Sequence, residues 1–120
     1  MTIVNWRDVS PKVSHGGGES RGLLQHADRP GAAHPVLHTL GFVNRSRLAA
    51  GAMHEPHAHD DHEEVFVIVG GRGAVRFGDE VLPVREGDAI YVPLNTTHGL
   101  INDSDDWLDF LAIGGAPTQP

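Results

Sequence analysis

From Leu37 onward the chain is cut into short runs rich in Val, Ile, Leu and Phe, separated by Gly, Asp, Asn and Pro at intervals of roughly 8–12 residues. Such punctuation leaves no room for helices of ordinary length and predicts an all-β domain. Expected strands cover 40–48, 52–59, 64–69, 73–77, 80–83, 88–92, 97–101 and 107–113, with turns at Gly70-Gly71, Gly78-Asp79, Glu86-Gly87 and 102–106. About eight short strands avoid exposed edges by closing into a barrel or by pairing two sheets as a jelly roll, and both shapes enclose an interior.

Residues 1–35 have a different texture. They hold Gly16-Gly17-Gly18, Pro11, Pro30 and Pro35, and their apolar residues keep no sustained period. This segment is expected to be an N-terminal arm with at most one or two short strands, around 4–6 and 22–25, followed by one barrel domain over 36–120. The glycine run is no phosphate loop, because neither a strand-to-helix context nor a Lys-Ser/Thr pair accompanies it.

Composition narrows the chemistry. At 120 residues the chain is the size of one domain. It contains no cysteine, so disulfides, thiolate metal sites and a cysteine nucleophile are excluded, and a metal would need nitrogen and oxygen ligands. Nine Lys and Arg against sixteen Asp and Glu give a net charge of −7 and no basic stripe, which argues against nucleic acid. The apolar runs fall far short of the ~20 residues of a membrane-spanning helix, and the first ten residues do not read as a secretion signal. The expectation is a soluble, cytoplasmic protein without nucleic-acid or membrane partners.

Of the nine histidines, His54, His57, His59 and His62 fall in one short stretch. His57 and His59 lie two apart, so on a strand both imidazoles leave the same face and can share an ion. Glu64 opens the run Val65-Phe66-Val67-Ile68-Val69 and shares a face with Phe66 and Ile68. A carboxylate there costs several kcal/mol unless it is paired or bound to a metal. Further on, His98 heads a strand after the Pro93-Leu94-Asn95 turn and supplies a natural fourth ligand.

At these residues the chain resembles the cupin superfamily. Its first motif, Gly, five residues, His-x-His, three or four residues, Glu, six residues, Gly, is met by Gly51, His57, His59, Glu64 and Gly71. Its second, Gly, five residues, Pro-x-Gly, two residues, His, three residues, Asn, is met by Gly87, Pro93, His98 and Asn102. Asn95 replaces the middle glycine, a mild exchange because Asn tolerates left-handed backbone. The resemblance implies a jelly-roll barrel with one divalent transition metal ion (Fe, Mn, Ni, Co or Zn) on His57, His59, His98 and Glu64. One or two coordination positions would stay open for water or substrate.

Other residues have plainer readings. Glu63 competes with Glu64, but Glu64 has the motif's spacing to Gly71. His62 reads as a solvated loop residue, and His54 as a surface or interface residue rather than a fifth ligand. Tyr91 and Asp109 could offer a hydroxyl or a carboxylate if they point inward, although packing or exposure is the simpler reading. Tyr91 joins Glu64 as a candidate catalytic residue. Phe66, Ile68, Phe77, Tyr91, Leu100 and Phe110 are candidates for the pocket wall, while Asp103, Asp105 and Asp106 read as an acidic surface turn, not a calcium loop.

The implied function is a metal-dependent small-molecule enzyme, either a dioxygenase or an isomerase, lyase or cyclase, in which Glu64 could also move a proton. The alternative is a non-catalytic module that binds a sugar or metabolite. A homodimer is expected, with the N-terminal arm as a plausible exchanged piece.

Overall fold

The computed structural model describes residues 1–14 and 16–116; the last residues of the expected barrel domain lie outside the described ones. A short 3-10 turn, Trp6–Asp8, precedes ten strands: β1 (Lys12–Ser14), β2 (Gly18–His26), β3 (Pro35–Leu37), β4 (Phe42–Leu48), β5 (Glu63–Gly70), β6 (Arg72–Phe77), β7 (Glu80–Arg85), β8 (Ala89–Val92), β9 (His98–Ile101) and β10 (Leu108–Gly115). No α-helix occurs among the described residues. A seven-stranded sheet runs β1-β2-β4-β10-β5-β8, with β3 beside β2, and faces a three-stranded sheet, β7-β6-β9.

The inner faces follow from strand parity. In β5 Glu64, Phe66 and Ile68 are buried, and in β10 Leu108, Phe110, Ala112 and Gly114 are buried, each alternating with residues that face out. Leu48, Val75, Val92 and Leu100 close the core from the other strands. Each large side chain withdrawn from water contributes about 1.5–3 kcal/mol.

Three sequence expectations are corrected. Residues 4–6 form no strand; instead the Asn5 side chain accepts from the Arg7 N–H and caps the turn Trp6–Asp8. The segment before Pro35 is also far more sheet than arm, because β2 is nine residues long and pairs with β4 of the same chain. Its inward residues Gly18, Ser20 and Gly22 are small or polar, so no apolar alternation marked it, and a register shift between Gly22 and Leu24 breaks the parity. The glycine run supplies the turn into β2, with Gly16 and Gly17 at φ of 67° and 90°. Likewise 52–59 is no continuous strand. It touches β9 only at the isolated bridges Met53↔Ile101 and His57↔His98, with Pro56, which lacks an N–H, between them.

Two motif residues have structural duties. Asn95 adopts φ of 58°, the left-handed backbone that a glycine would adopt freely, and its N–H donates to the His59 carbonyl at 2.7 Å. Asn102 is 1 % exposed, and its amide nitrogen donates to the carbonyls of Leu48, Ala49 and Asp106 at 2.9, 3.1 and 2.7 Å. Its Oδ1 accepts from Ser104 N–H and hydroxyl, so one side chain ties β4, the end of β9 and the 103–106 turn together.

Asn102→Ala would leave those carbonyls without their donor and should cost about 2–3 kcal/mol in urea unfolding. A loss below about 0.5 kcal/mol would show that water replaces the amide at no penalty.

Candidate metal centre

The site is built where the 52–59 segment meets β9. His57 N–H donates to the His98 carbonyl at 3.0 Å, and His98 N–H donates back to His57 at 2.9 Å, so two of the histidines form a reciprocal backbone pair. Their ring centroids lie 4.5 Å apart, and His59 sits 4.8 Å from His57 and 5.4 Å from His98. One nitrogen from each of the three rings falls within 4.8 Å of the others.

Backbone contacts orient two of the rings. Nδ1 of His57 contacts the Glu55 carbonyl and Nδ1 of His98 the Thr96 carbonyl, both at 2.8 Å. A carbonyl only accepts, so each neutral ring carries its proton on Nδ1 and presents the Nε2 lone pair. His98 is fully buried, yet its Nε2 has no hydrogen-bond partner. His59 Nε2 lies 2.9 Å from Glu64 Oε1, close enough for an ion pair but off the angle of a hydrogen bond. Buried lone pairs left over in this way are the donor set a cation needs.

Glu64 is 8 % exposed and forms a second donor group with His59 and His62, joined to the first through His59, whereas Glu63 faces out and accepts from the Tyr91 hydroxyl at 3.0 Å. Tyr91 is thereby corrected as a candidate catalytic residue and as pocket wall. It is 56 % exposed, because β8 turns Ile90 and Val92 inward and the residue between them outward. Asp109 also points away from the interior, with Oδ1 at 3.2 Å from Arg47 Nε and 3.7 Å from Arg45. His54 is half-buried with its ring edge-on to Phe110 at 5.8 Å, so it packs inward rather than lying on the surface. Of the other expected wall residues, Phe66, Ile68, Leu100 and Phe110 are buried, Phe77 packs against them, and Phe66 lies 6.0 Å from the His98 ring.

His62, read from the sequence as a solvated loop residue, is instead half-buried against the site. Its ring stacks on His59 at 4.1 Å and meets Phe42 edge-on at 5.7 Å, leaving the side chain only 22 % exposed. Nδ1 contacts Asp61 Oδ1 at 2.7 Å and Nε2 contacts Glu64 Oε1 at 3.1 Å. The available signal was its spacing: His62 lies two residues before Glu64, so in extended chain both share a face.

A cupin domain of the family Cupin_2 matches residues 44–114, more than half of the chain. The chain belongs to the cupin family. An uncharacterised protein of Methanocaldococcus jannaschii is 39 % identical over 109 residues, covering 91 % of this cupin and 82 % of that protein. A mannose-1-phosphate guanylyltransferase of Salmonella muenchen is 26 % identical over 87 residues, 71 % of this cupin but only 18 % of the larger protein. Among solved structures, a predicted oxalate decarboxylase from Thermotoga maritima superposes with a TM-score of 0.82 at 20 % identity, covering 97 % of this chain and 100 % of the other. The polyketide cyclase RemF from Streptomyces resistomycificus gives 0.78 at 21 % identity, with 100 % and 82 % covered. At such identities the two structures establish the shared fold.

The electrostatics of this cupin suit the neutral rings. Burial pushes His98 below the ordinary histidine range, against the raising effect of the Thr96 carbonyl and with His57 adding to the fall. His59 is lowered as well, chiefly by burial, with Glu64 opposing and the three neighbouring histidines assisting. Both rings resist protonation at neutral pH and keep their lone pairs available.

In metal-free protein the unfolded chain takes up protons on these histidines at about pH 6.5, while the folded state holds them off until lower pH. Stability is therefore complete above about pH 6.5 and should fall as pH drops below it. Melting temperatures in chelator between about pH 7.5 and about pH 5 should show this fall, and His98→Gln should flatten it. An unchanged slope in the variant would refute the assignment of the loss to His98.

Proposed function

We propose that this cupin is a metal-dependent enzyme acting on a small oxygen-bearing metabolite, with the ion held by His57, His59, Glu64 and His98. The observation that carries the reading is the buried Nε2 of His98, which has no hydrogen-bond partner and groups with nitrogens of His57 and His59, the latter in turn beside the buried Glu64 carboxylate. Three neutral nitrogens and one carboxylate suit Fe, Mn, Ni, Co or Zn, which when bound would supply Lewis acidity or the activation of dioxygen. The likeness in fold to a predicted oxalate decarboxylase and a polyketide cyclase supports an enzyme over a passive binder.

The chain's own residues divide the remaining work. Phe66 and Phe110, both buried and packed 5.5 Å apart, give the site an apolar side, with Phe66 at 6.0 Å from the His98 ring. Glu64 Oε1 lies between His59 Nε2 and His62 Nε2. From there a proton released by a substrate can pass through His62 to Asp61, whose side chain is 80 % exposed. Asp61 is itself held below the usual carboxylate range, first by its hydrogen bond to His62. His62 thus positions the Glu64 carboxylate and gives it an outlet to solvent.

Elemental analysis of tag-free protein should find about one transition metal ion per chain. His59→Ala and His98→Ala should each lose it while keeping the β-type circular dichroism of the parent. Metal-free parent protein after reconstitution would overturn the reading, and loss of the fold in either variant would make the ion structural. His62→Ala should weaken metal affinity about tenfold through the loosened Glu64, with part of the loss restored by His62→Gln. Unchanged affinity in His62→Ala would refute the positioning role.

A further inference from the structure

The seven-stranded sheet has two chemically different halves on its inner face. Across β5 and β10 that face presents Phe66, Ile68, Phe110 and Ala112, all buried. The register carries the same rows onward into polar residues. Phe110 lies opposite Ser46, Ser46 opposite Ser20 and Ser20 opposite Lys12, while Ala112 lies opposite Asn44 and Asn44 opposite Gly22. The half formed by β1, β2 and β4 thus continues the same inner face beyond Phe110 and Ala112 but is lined with hydroxyls and amides.

Over this polar half lies a cavity of about 320 Å³, bounded by Ser20, Gly22, Gln25 and Asn44 below and by Lys12 and the 29–33 loop at its rim. Its volume falls within the range of small-molecule sites, about 300–1,000 Å³. Gln25 is 8 % exposed, and its Oε1 accepts the His34 N–H at 2.8 Å. That bond fixes the amide so that its NH₂ end is the one offered to the cavity. A Cβ added to Gly22 would come within 3.1 Å of Gln25 Nε2 and 3.6 Å of Asn44 Oδ1, so the two amides lie side by side above a glycine that makes room for them. The Ser20 and Ser46 hydroxyls bond each other at 3.1 Å close by.

The rim has a charge of its own. Lys12 and Arg29 border the cavity and no Asp or Glu does, although the chain as a whole carries −7. Two cations over a carboxylate-free floor of amides and hydroxyls select a negatively charged guest that also brings oxygens of its own.

We propose that this cavity binds an oxygen-rich organic anion, its charge met by Lys12 and Arg29 and its hydroxyl or carbonyl oxygens by Gln25, Asn44 and Ser20. The assignment of that anion as substrate rests on the metal-centre reading above, whereas its binding does not.

The test uses the full chain, isotopically labelled, with the side-chain amide signals of Asn44 and Gln25 followed by NMR during titration with gluconate, glucose and inorganic phosphate. Gluconate should shift both amides saturably, with glucose and phosphate at least about tenfold weaker. Lys12→Glu with Arg29→Glu, both exposed positions, should weaken gluconate at least about tenfold and leave zinc binding at one per chain. No saturable shift, equal affinity for glucose, or an unaffected double variant would overturn the site. Phosphate binding as tightly as gluconate would overturn its organic character. Gluconate binding in a protein that takes up no metal would uphold the cavity and overturn its assignment as the substrate's.

Discussion

The site depends on one short piece of backbone pairing. His57 and His98, distant in sequence, exchange N–H and carbonyl groups in a closed pair, and with the bonds from His54 to Leu100 and from Asn102 to Ala52 this seats the histidine segment on β9. Side-chain positions follow from that seat. Once the two backbones are fixed, the imidazoles have a few rotamers each, and the carbonyls of Glu55 and Thr96 select among them by taking up the Nδ1 protons. The donor cluster is thus set by main-chain geometry before any ion is considered, which is how a site is held ready for its cation.

How much of this was legible in the sequence depended on whether parity could be read. The choice of His57, His59, Glu64 and His98 rests on fixed offsets in the chain, and Glu64 was separable from Glu63 by its spacing to Gly71, a choice with which its burial agrees. Tyr91 failed for the complementary reason: its strand is four residues long, and only the pairing with β5 decides which face it takes. His62 was hidden by its neighbours, since Asp60 and Asp61 look like a solvated loop until the fold lays the ring on His59 and Phe42. β2 was anticipated only at its end, around 22–25, because its inward residues Gly18, Ser20 and Gly22 carry no hydrophobic signal.

That last failure has a functional side. A strand whose inward face is small and polar contributes little to the core, so its composition must answer to something else. In this barrel β5 to β10 and the end of β4 at Leu48 supply the cohesion, whereas Ser20, Gly22 and Asn44 on β2 and β4 line open space with small or hydrogen-bonding groups. The residues that make the N-terminal third look unstructured in the sequence are the ones that leave the barrel hollow there.

The order in which the large sheet is assembled also bears on how the chain reaches this state. β10, the last strand in sequence, lies between β4 and β5, and it joins them by antiparallel ladders on both sides. Until it is inserted, β4 with β2 and β5 with β8 are two separate fragments with unpaired edges. Every contact that unites them spans a long stretch of chain, which places the domain among slow, late-closing folds. During synthesis the nascent chain carries both edges exposed until its final strand leaves the ribosome, so the interval in which the barrel is open is also the one in which it is most prone to associate with other chains.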